Sequence, residues 1–385
     1  MADAPKVTIP DSESFESAPE KSSRDPEALR TQMQAWLTTR LGDATDVTDV
    51  AVGEITSPGS NGMSSETLLF DASWSDADGA HNERLVARVE PDTHDTPVFP
   101  VYDLEMQFRV ITLAGQRTKV RVPRTRWLET DPTLLGGTFF IMDRVDGRVP
   151  PDIPPYTMDG WVLEATPEER ATIERTTAES IAELHTLNPS NADLAFLEYD
   201  VPGETHLRRH VEHQRQYYKW VQNGRTHRLI DDGFAWLEEH WPEDEGETVV
   251  SWGDARIGNV MYDGFEPAAV FDWEMAGLAP RALDVGWMIF IHVFFQEITT
   301  SLGLPGLPDF LHRDNVRGYY EAAAGVPLEN LEFFEVYAAL RHAIVMSRVH
   351  ERSVGFGQAV WPDDPDEVIY HRAAMQRMLD GTYWD

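Results

Sequence analysis

The chain has no cysteine among its 385 residues. Disulfide staples, thiolate nucleophiles and cysteine-ligated zinc are therefore excluded, and a reducing compartment is the expected setting. Positive charge is scarce: 32 Lys and Arg stand against 66 Asp and Glu, a net charge of −34. A surface so acidic repels nucleic acid and anionic membranes, so neither is expected as a partner. It could draw in a cationic substrate, but net charge speaks first to solubility, and we read it that way. Long apolar runs are missing too. The longest, Val285 to Phe295, is about half of what a membrane span needs. The first thirty residues hold no apolar segment, so no secretory signal is expected and the cytoplasm is the expected location. Two absent motifs narrow the chemistry. Without G-x-S-x-G or any Cys, nucleophilic hydrolysis has little support, and without G-x-G-x-x-G a dinucleotide fold has none.

The length points to two lobes rather than one core. Residues 1–24, rich in Ser, Pro, Glu and Asp, read as a disordered tail. Asp25-Pro26 opens a helix with Leu29, Met33, Trp36 and Leu37 on one face. From residue 47 short β-branched and aromatic segments read as strands. "VTDVAVGEI", "ETLLFDASW", "RLVARVE", "RVPRTRWLETD" and "GGTFFIMDRVDG" predict a mostly antiparallel sheet of about five strands with one helix, "VYDLEMQFRVITLAG", packed on it. Residues 25–146 form this amino-terminal lobe. After Gly147 the pattern turns helical, beginning with a capping box at Thr166 to Glu169. Residues 147–385 form a larger, helical lobe. The fold class is α+β.

Within the helical lobe one segment breaks pattern: "VVSWGDARIGNVMYDGFEPAAVFDWEMAG", Val249 to Gly277. Asp254 follows a buried-looking strand and a glycine. Asn259 enters the next strand, and Asp272 ends the strand after an Asp263-Gly264 turn. A hairpin brings its two ends together, so Asn259 and Asp272 should lie side by side with Asp254 close by. An amide oxygen beside a carboxylate suits Mg²⁺, which takes few protein ligands and several phosphate oxygens. A second carboxylate just outside that pair can orient a hydroxyl and take its proton. Those are the parts for phosphoryl transfer from a magnesium nucleotide, ATP or GTP.

"WGDARIGN" followed by "VFDWEMAG" resembles the catalytic and metal segments of the aminoglycoside phosphotransferase and choline kinase-like family, which has the protein-kinase-like two-lobed fold. The family pattern is H-G-D-x-x-x-x-N, with the metal-binding Asp eighteen residues after the first. Asp254 and Asp272 are eighteen apart. The resemblance covers roughly residues 47–350. It implies that Asp254 is the catalytic base, that Asn259 and Asp272 are the metal ligands, and that Asp284 in "RALDVGW" buttresses the catalytic loop. Trp252 stands where the family has His, and should fill that space while donating one N–H. In the amino-terminal lobe, Ser60, Asn61 and Gly62 in "SPGSNGMSSE" fit a turn over phosphates. Arg88 ends "RLVAR" where the family places a Lys or Arg for the α- and β-phosphates. Its helix partner departs from the pattern: Gln107 stands where Glu is expected, with Asp103 one turn earlier as the alternative. Main-chain groups of about Asp143 to Val145 match the hinge that meets a purine.

"DWEMAG" is closer to the kinase domains fused to some acyl-CoA dehydrogenases than to the antibiotic-resistance branch. The implied acceptor is a hydroxylated acyl group or an amino alcohol rather than an aminoglycoside. A catalytically silent ligand-binding protein on the same fold is the alternative. His206, His210 and His213 share one helix face, a spacing that could bind zinc. With no paired acid and several arginines nearby, a solvated helix lining the substrate cleft is the better reading. The oligomeric state is not legible.

Overall fold

The computed structural model describes residues 24–42, 47–57, 65–91 and 97–384. Most of the tail expected for residues 1–24 lies outside them. The described residues divide into two compact units, one of residues up to 116 with 122–146, the other of residues 117–121 with 147–384.

The smaller unit begins with α1 (Pro26–Gly42), whose Leu29, Met33, Trp36 and Leu37 are all buried, as their spacing predicts. β1 (Thr48–Val52), β2 (Glu66–Asp76) and β3 (Gly79–Val89) follow, then α2 (Leu104–Arg117), β4 (Thr125–Glu129), α3 (Pro132–Leu135) and β5 (Phe139–Asp143). The strands form one sheet in the order β1-β2-β3-β5-β4, and every neighbouring pair is antiparallel. The β2–β3 ladder continues to Asp76 opposite Gly79, well past the apolar residues that mark the strands in the sequence. Alternation sends Leu68, Phe70 and Ala72 of β2 and Phe139 and Ile141 of β5 into one core with the α1 stripe. Phe140 points to the other face, where its ring lies 6.0 Å from Phe108 of α2. Two helices therefore cover the sheet where one was expected, because the apolar stripe of α1 must also be buried.

The larger unit holds α4 (Trp161–Glu164), α5 (Pro167–Leu184), α6 (His206–Gln222) and α7 (Arg228–Glu239), then β6 (Thr248–Ser251), β7 (Val260–Asp263), β8 (Glu266–Val270) and β9 (Gly277–Pro280), and finally α8 (Ala282–Ser301), α9 (Arg313–Ala324), α10 (Leu331–Gly355) and α11 (Arg372–Leu379). The capping box before α5 is present with both bonds: Thr166 Oγ1 accepts from the Glu169 amide and the Glu169 carboxylate accepts from the Thr166 amide. β6 pairs with β9, and β7 with β8, both antiparallel. α8 is long and apolar enough to cross a membrane on composition alone, yet 72% of its apolar window is buried inside the protein. A Cβ on Gly286 of α8 would lie 2.9 Å from the Phe334 backbone, so α8 and α10 pack at close range. α8 is a core helix.

One buried carboxylate has a consequence for pH. Glu174 of α5 is 3% exposed and accepts from the backbone N–H groups of Leu311 and His312. Burial outweighs those bonds and pushes its pKa up to about 7 from 4.5. A raised folded-state value means the unfolded chain ionises first as pH rises. The stability tied to Glu174 is therefore complete below about 4.5 and is lost as pH climbs to about 7. Thermal unfolding from pH 4.5 to 7.5 should show this decline, and Glu174→Gln should flatten it. An unchanged slope in the variant would remove the assignment.

Candidate active site

β6 delivers the chain into the loop that carries Asp254. At Gly253 the backbone turns left-handed (φ +86°), and a Cβ there would lie 1.9 Å from the Met275 carbonyl oxygen, so only glycine fits. The loop is held by Asp284, in the first turn of α8 and fully buried. Its carboxylate accepts from the Trp252 amide (2.8 Å), the Gly253 amide (2.9 Å) and the Ser251 hydroxyl (2.7 Å). His185 Nε2 lies 3.0 Å away, with its Nδ1 2.7 Å from the Tyr320 hydroxyl. Burial alone would raise the Asp284 pKa. The His185 bond and charge, with the Ser251 and Gly253 donors, bring it below the usual value. Arg341 of α10 adds a bond from Nη2 to the Gly253 carbonyl, at 2.9 Å.

Asp254 then projects among donors. Asn259 Nδ2 gives 2.7 Å to Asp254 Oδ2 and 3.1 Å to its carbonyl. The Trp287 indole N–H gives 2.6 Å to Oδ1. Asn259 closes a turn of 3-10 helix and leads into β7, and its own carbonyl accepts from the Phe271 amide at 3.1 Å. The hairpin thus sets Asn259 beside the end of β8, where Asp272 follows. Asp272 is left-handed (φ +63°), a conformation that costs a non-glycine residue about 1–2 kcal/mol. Trp252 does not donate within its own loop. Its indole N–H lies 3.0 Å from the Phe271 carbonyl and 3.1 Å from that of Asp272, and its ring is buried beside Trp273.

The phosphotransferase enzyme family (APH) matches residues 75–341. The chain belongs to that family. It is 25% identical over 318 residues to the Arabidopsis thaliana protein IBR3, named as an acyl-CoA dehydrogenase, covering 76% of this chain and 35% of that protein. It is 27% identical over 243 residues to human acyl-CoA dehydrogenase family member 11, covering 60% of this chain and 29% of that one. The chain thus spans about a third of the length of these curated relatives. Among solved structures, a candidate aminoglycoside phosphotransferase of Ralstonia eutropha JMP134 has the same fold, with a TM-score of 0.62, 23% identity, and coverage of 92% of this chain and 98% of that one. Aminoglycoside 2'-phosphotransferase-IIIa in its GDP complex gives 0.53 and 12%, covering 90% of this chain and 99% of that one. The protein-kinase-like fold is established, and the chain stands nearer the acyl-CoA-dehydrogenase-associated branch.

In this APH chain the sequence reading missed Arg256. Its Nη1 lies 2.7 and 2.9 Å from the two Asp152 oxygens, and its Nε is 3.4 Å from Asp254 Oδ2. A Cβ on Gly258 would lie 2.2 Å from Arg256 Nη1, so the small residue makes room for the pair. Burial works against the guanidinium charge, but Asp152, Asp254 and Asp272 together raise its pKa. The position two residues after Asp254 was the available signal. Asp152, a hundred residues upstream, left none.

Asn259 and Asp272 fit a divalent cation. The Asn259 amide nitrogen donates to Asp254, which leaves the amide oxygen as the group able to accept or ligate. Among the described residues no three His, Cys, Asp or Glu form a metal cage. A cation here would take most of its ligands from phosphate and water, as Mg²⁺ does.

The remaining expected residues are placed as follows. Ser60, Asn61 and Gly62 lie outside the described residues. Arg88 donates to Thr67 Oγ1 at 2.8 Å. Gln107 is 2% exposed, with no hydrogen-bond partner for Nε2 among the described residues, and no bond joins it to Arg88. Asp103 instead caps α2 through the Met106 amide, at 2.7 Å. The Asp143 amide is taken by the Arg124 carbonyl, and its carboxylate pairs with Arg126 and Arg124. Val145 follows, half-buried.

The solvated histidine face is corrected. His210 is 1% exposed with its Nδ1 2.6 Å from the Tyr337 hydroxyl, and His213 stacks on Tyr199 at 4.1 Å. Only His206 is paired outward, with Glu198. His210 packs against α10 and His213 against the segment before α6, because that helix turns these two histidines, not its arginines, inward. Burial and Arg341 lower the His213 pKa to about 4. A Ser347–His227–Asp366 series also exists, at 2.8 and 3.5 Å. Ser347 is 1% exposed and cannot reach a substrate.

Removing the Asp284 carboxylate leaves two buried amides, a hydroxyl and an imidazole without their acceptor. Asp284→Ala should cost roughly 3–5 kcal/mol, the usual effect of breaking a buried charged pair. Urea unfolding would measure it, and a loss below 1 kcal/mol would contradict it.

Proposed function

We propose that the chain transfers the γ-phosphoryl group of ATP or GTP, with Mg²⁺, to a hydroxyl of a small molecule. The observation that carries this is the presentation of Asp254. Its carboxylate stands on a glycine-hinged loop, hydrogen-bonded to Asn259, with Asp272 at the adjoining hairpin end. Asp254 orients the acceptor hydroxyl and takes its proton. Asn259 and Asp272 would hold Mg²⁺, which would supply charge neutralisation to the phosphates. Arg256, beside Asp254, offers a fixed cation to the transferring group, and Arg88 steadies the other phosphates. Val145 offers main-chain groups to the purine.

Support for the acceptor class comes from the relatives, which are named as acyl-CoA dehydrogenases and so favour a hydroxylated acyl group. The net charge of −34 speaks against nucleic acid as a partner.

Asp254→Asn should keep the fold and nucleotide binding but lose about 10²–10⁴ in turnover. Phosphate-transfer assays over hydroxyacyl thioesters, amino alcohols, sugars and antibiotics would test acceptor and base together. Full turnover in the variant, or no transfer to any acceptor in the wild-type protein, would sink the reading.

A further inference from the structure

Asp254 has a second neighbour that neither the motif nor the metal pair requires. Trp287 lies on α8, three residues after Asp284 and on the same face. Its ring is 3% exposed and its N–H meets Asp254 Oδ1 at 2.6 Å. The other oxygen, Oδ2, takes Asn259 and Arg256. Both oxygens are therefore anchored, from two sides, and the carboxylate plane is fixed. A carboxylate offers about four acceptor positions, so Oδ1 keeps one for an incoming hydroxyl.

The indole is itself held. The Arg341 guanidinium carbon lies 4.4 Å from the centre of the Trp287 ring. The same guanidinium donates to the Gly253 carbonyl at 2.9 Å. Arg341 is 1% exposed, and its Nε and Nη1 have no hydrogen-bond partner among the described residues. Its charge is thus spent on the ring and on the loop rather than on a carboxylate. A cation over an indole face draws electron density from the ring and makes the N–H a better donor. α8 and α10 thereby reach Asp254 together: one gives the donor, the other polarises that donor and grips the residue before Asp254.

We infer that Trp287, backed by Arg341, is a positioning residue that fixes the Asp254 carboxylate for the acceptor hydroxyl. This rests on the phosphotransfer reading. The test joins a spectrum to a rate. In the wild-type protein the Trp287 indole N–H resonance, assigned by triple-resonance spectroscopy, should move upfield in Asp254→Ala, where Trp287 itself is intact. Trp287→Phe should lower kcat for phosphoryl transfer, measured as ATP hydrolysis with Mg²⁺, by about 10- to 100-fold while leaving KM for ATP unchanged. In the Asp254→Ala background the same change should cost nothing further. An indole resonance indifferent to Asp254→Ala overturns the inference without any assay, so poor folding of Trp287→Phe does not shield it. Equal kcat in Trp287→Phe and wild type overturns it as well. A wild-type protein that hydrolyses no ATP and phosphorylates no acceptor sinks the reaction reading instead, and the spectrum shows which of the two has failed.

Discussion

Asp284 accepts from two successive backbone amides, a serine hydroxyl and an imidazole, with no exposure to water. The amides belong to Trp252 and Gly253, the two residues before Asp254. Their direction decides where the Asp254 side chain begins. A buried carboxylate is costly unless its lone pairs are filled. Here the filling groups are the loop itself, so the penalty of burying Asp284 and the shape of the loop are one problem with one solution. A loop that swung away would leave an uncompensated charge in the core. Gly253 permits the close approach this requires, because any side chain there would meet the Met275 carbonyl. The left-handed backbone at Asp272 is tolerated for the same reason: the indole of Trp252 ties both adjoining carbonyls to the start of the loop.

Around this anchor the charges are arranged unevenly. The chain as a whole carries −34, and three of its carboxylates, Asp152, Asp254 and Asp272, crowd Arg256. Like charges at that range repel unless a cation sits among them. Arg256 meets that need: its Nη1 is shared between the two Asp152 oxygens, which leaves Nε for Asp254.

The sequence carried the fold well because its signals are local. The α1 stripe, the capping box at Thr166 and the five strands each depend on residues within one element. The nearness of Asp254, Asn259 and the Asp272 backbone was also legible, since a hairpin with an Asp-Gly turn has a calculable geometry. What escaped were the groups that reach the site from elsewhere in the chain. Asp152 meets Arg256 across a separation of 104 residues, and Arg341 meets Gly253 across 88. No periodicity encodes such pairs. The histidines of α6 were misjudged for a related reason. A helix with many arginines looks solvated until the packing shows which face carries them, and the arginines of α6 pair with surface glutamates such as Glu238 and Glu198.

Trp252 shows why one departure from a motif can be absorbed. A histidine has two ring nitrogens and can act as donor and acceptor, while an indole has a single N–H and no acceptor. An indole is also much larger, so it can serve only if the site offers room and asks for donation alone. Both conditions hold. The ring packs beside Trp273 with 2% exposure, and its one N–H is shared between two carbonyls. The amide of the same residue goes to Asp284. Trp252 therefore joins the buried carboxylate at one end to the Asp272 backbone at the other. The loop bearing Asp254 and the strand end bearing Asp272 are fixed to each other through a single side chain, and the spacing between the two acids does not depend on a ligand to set it.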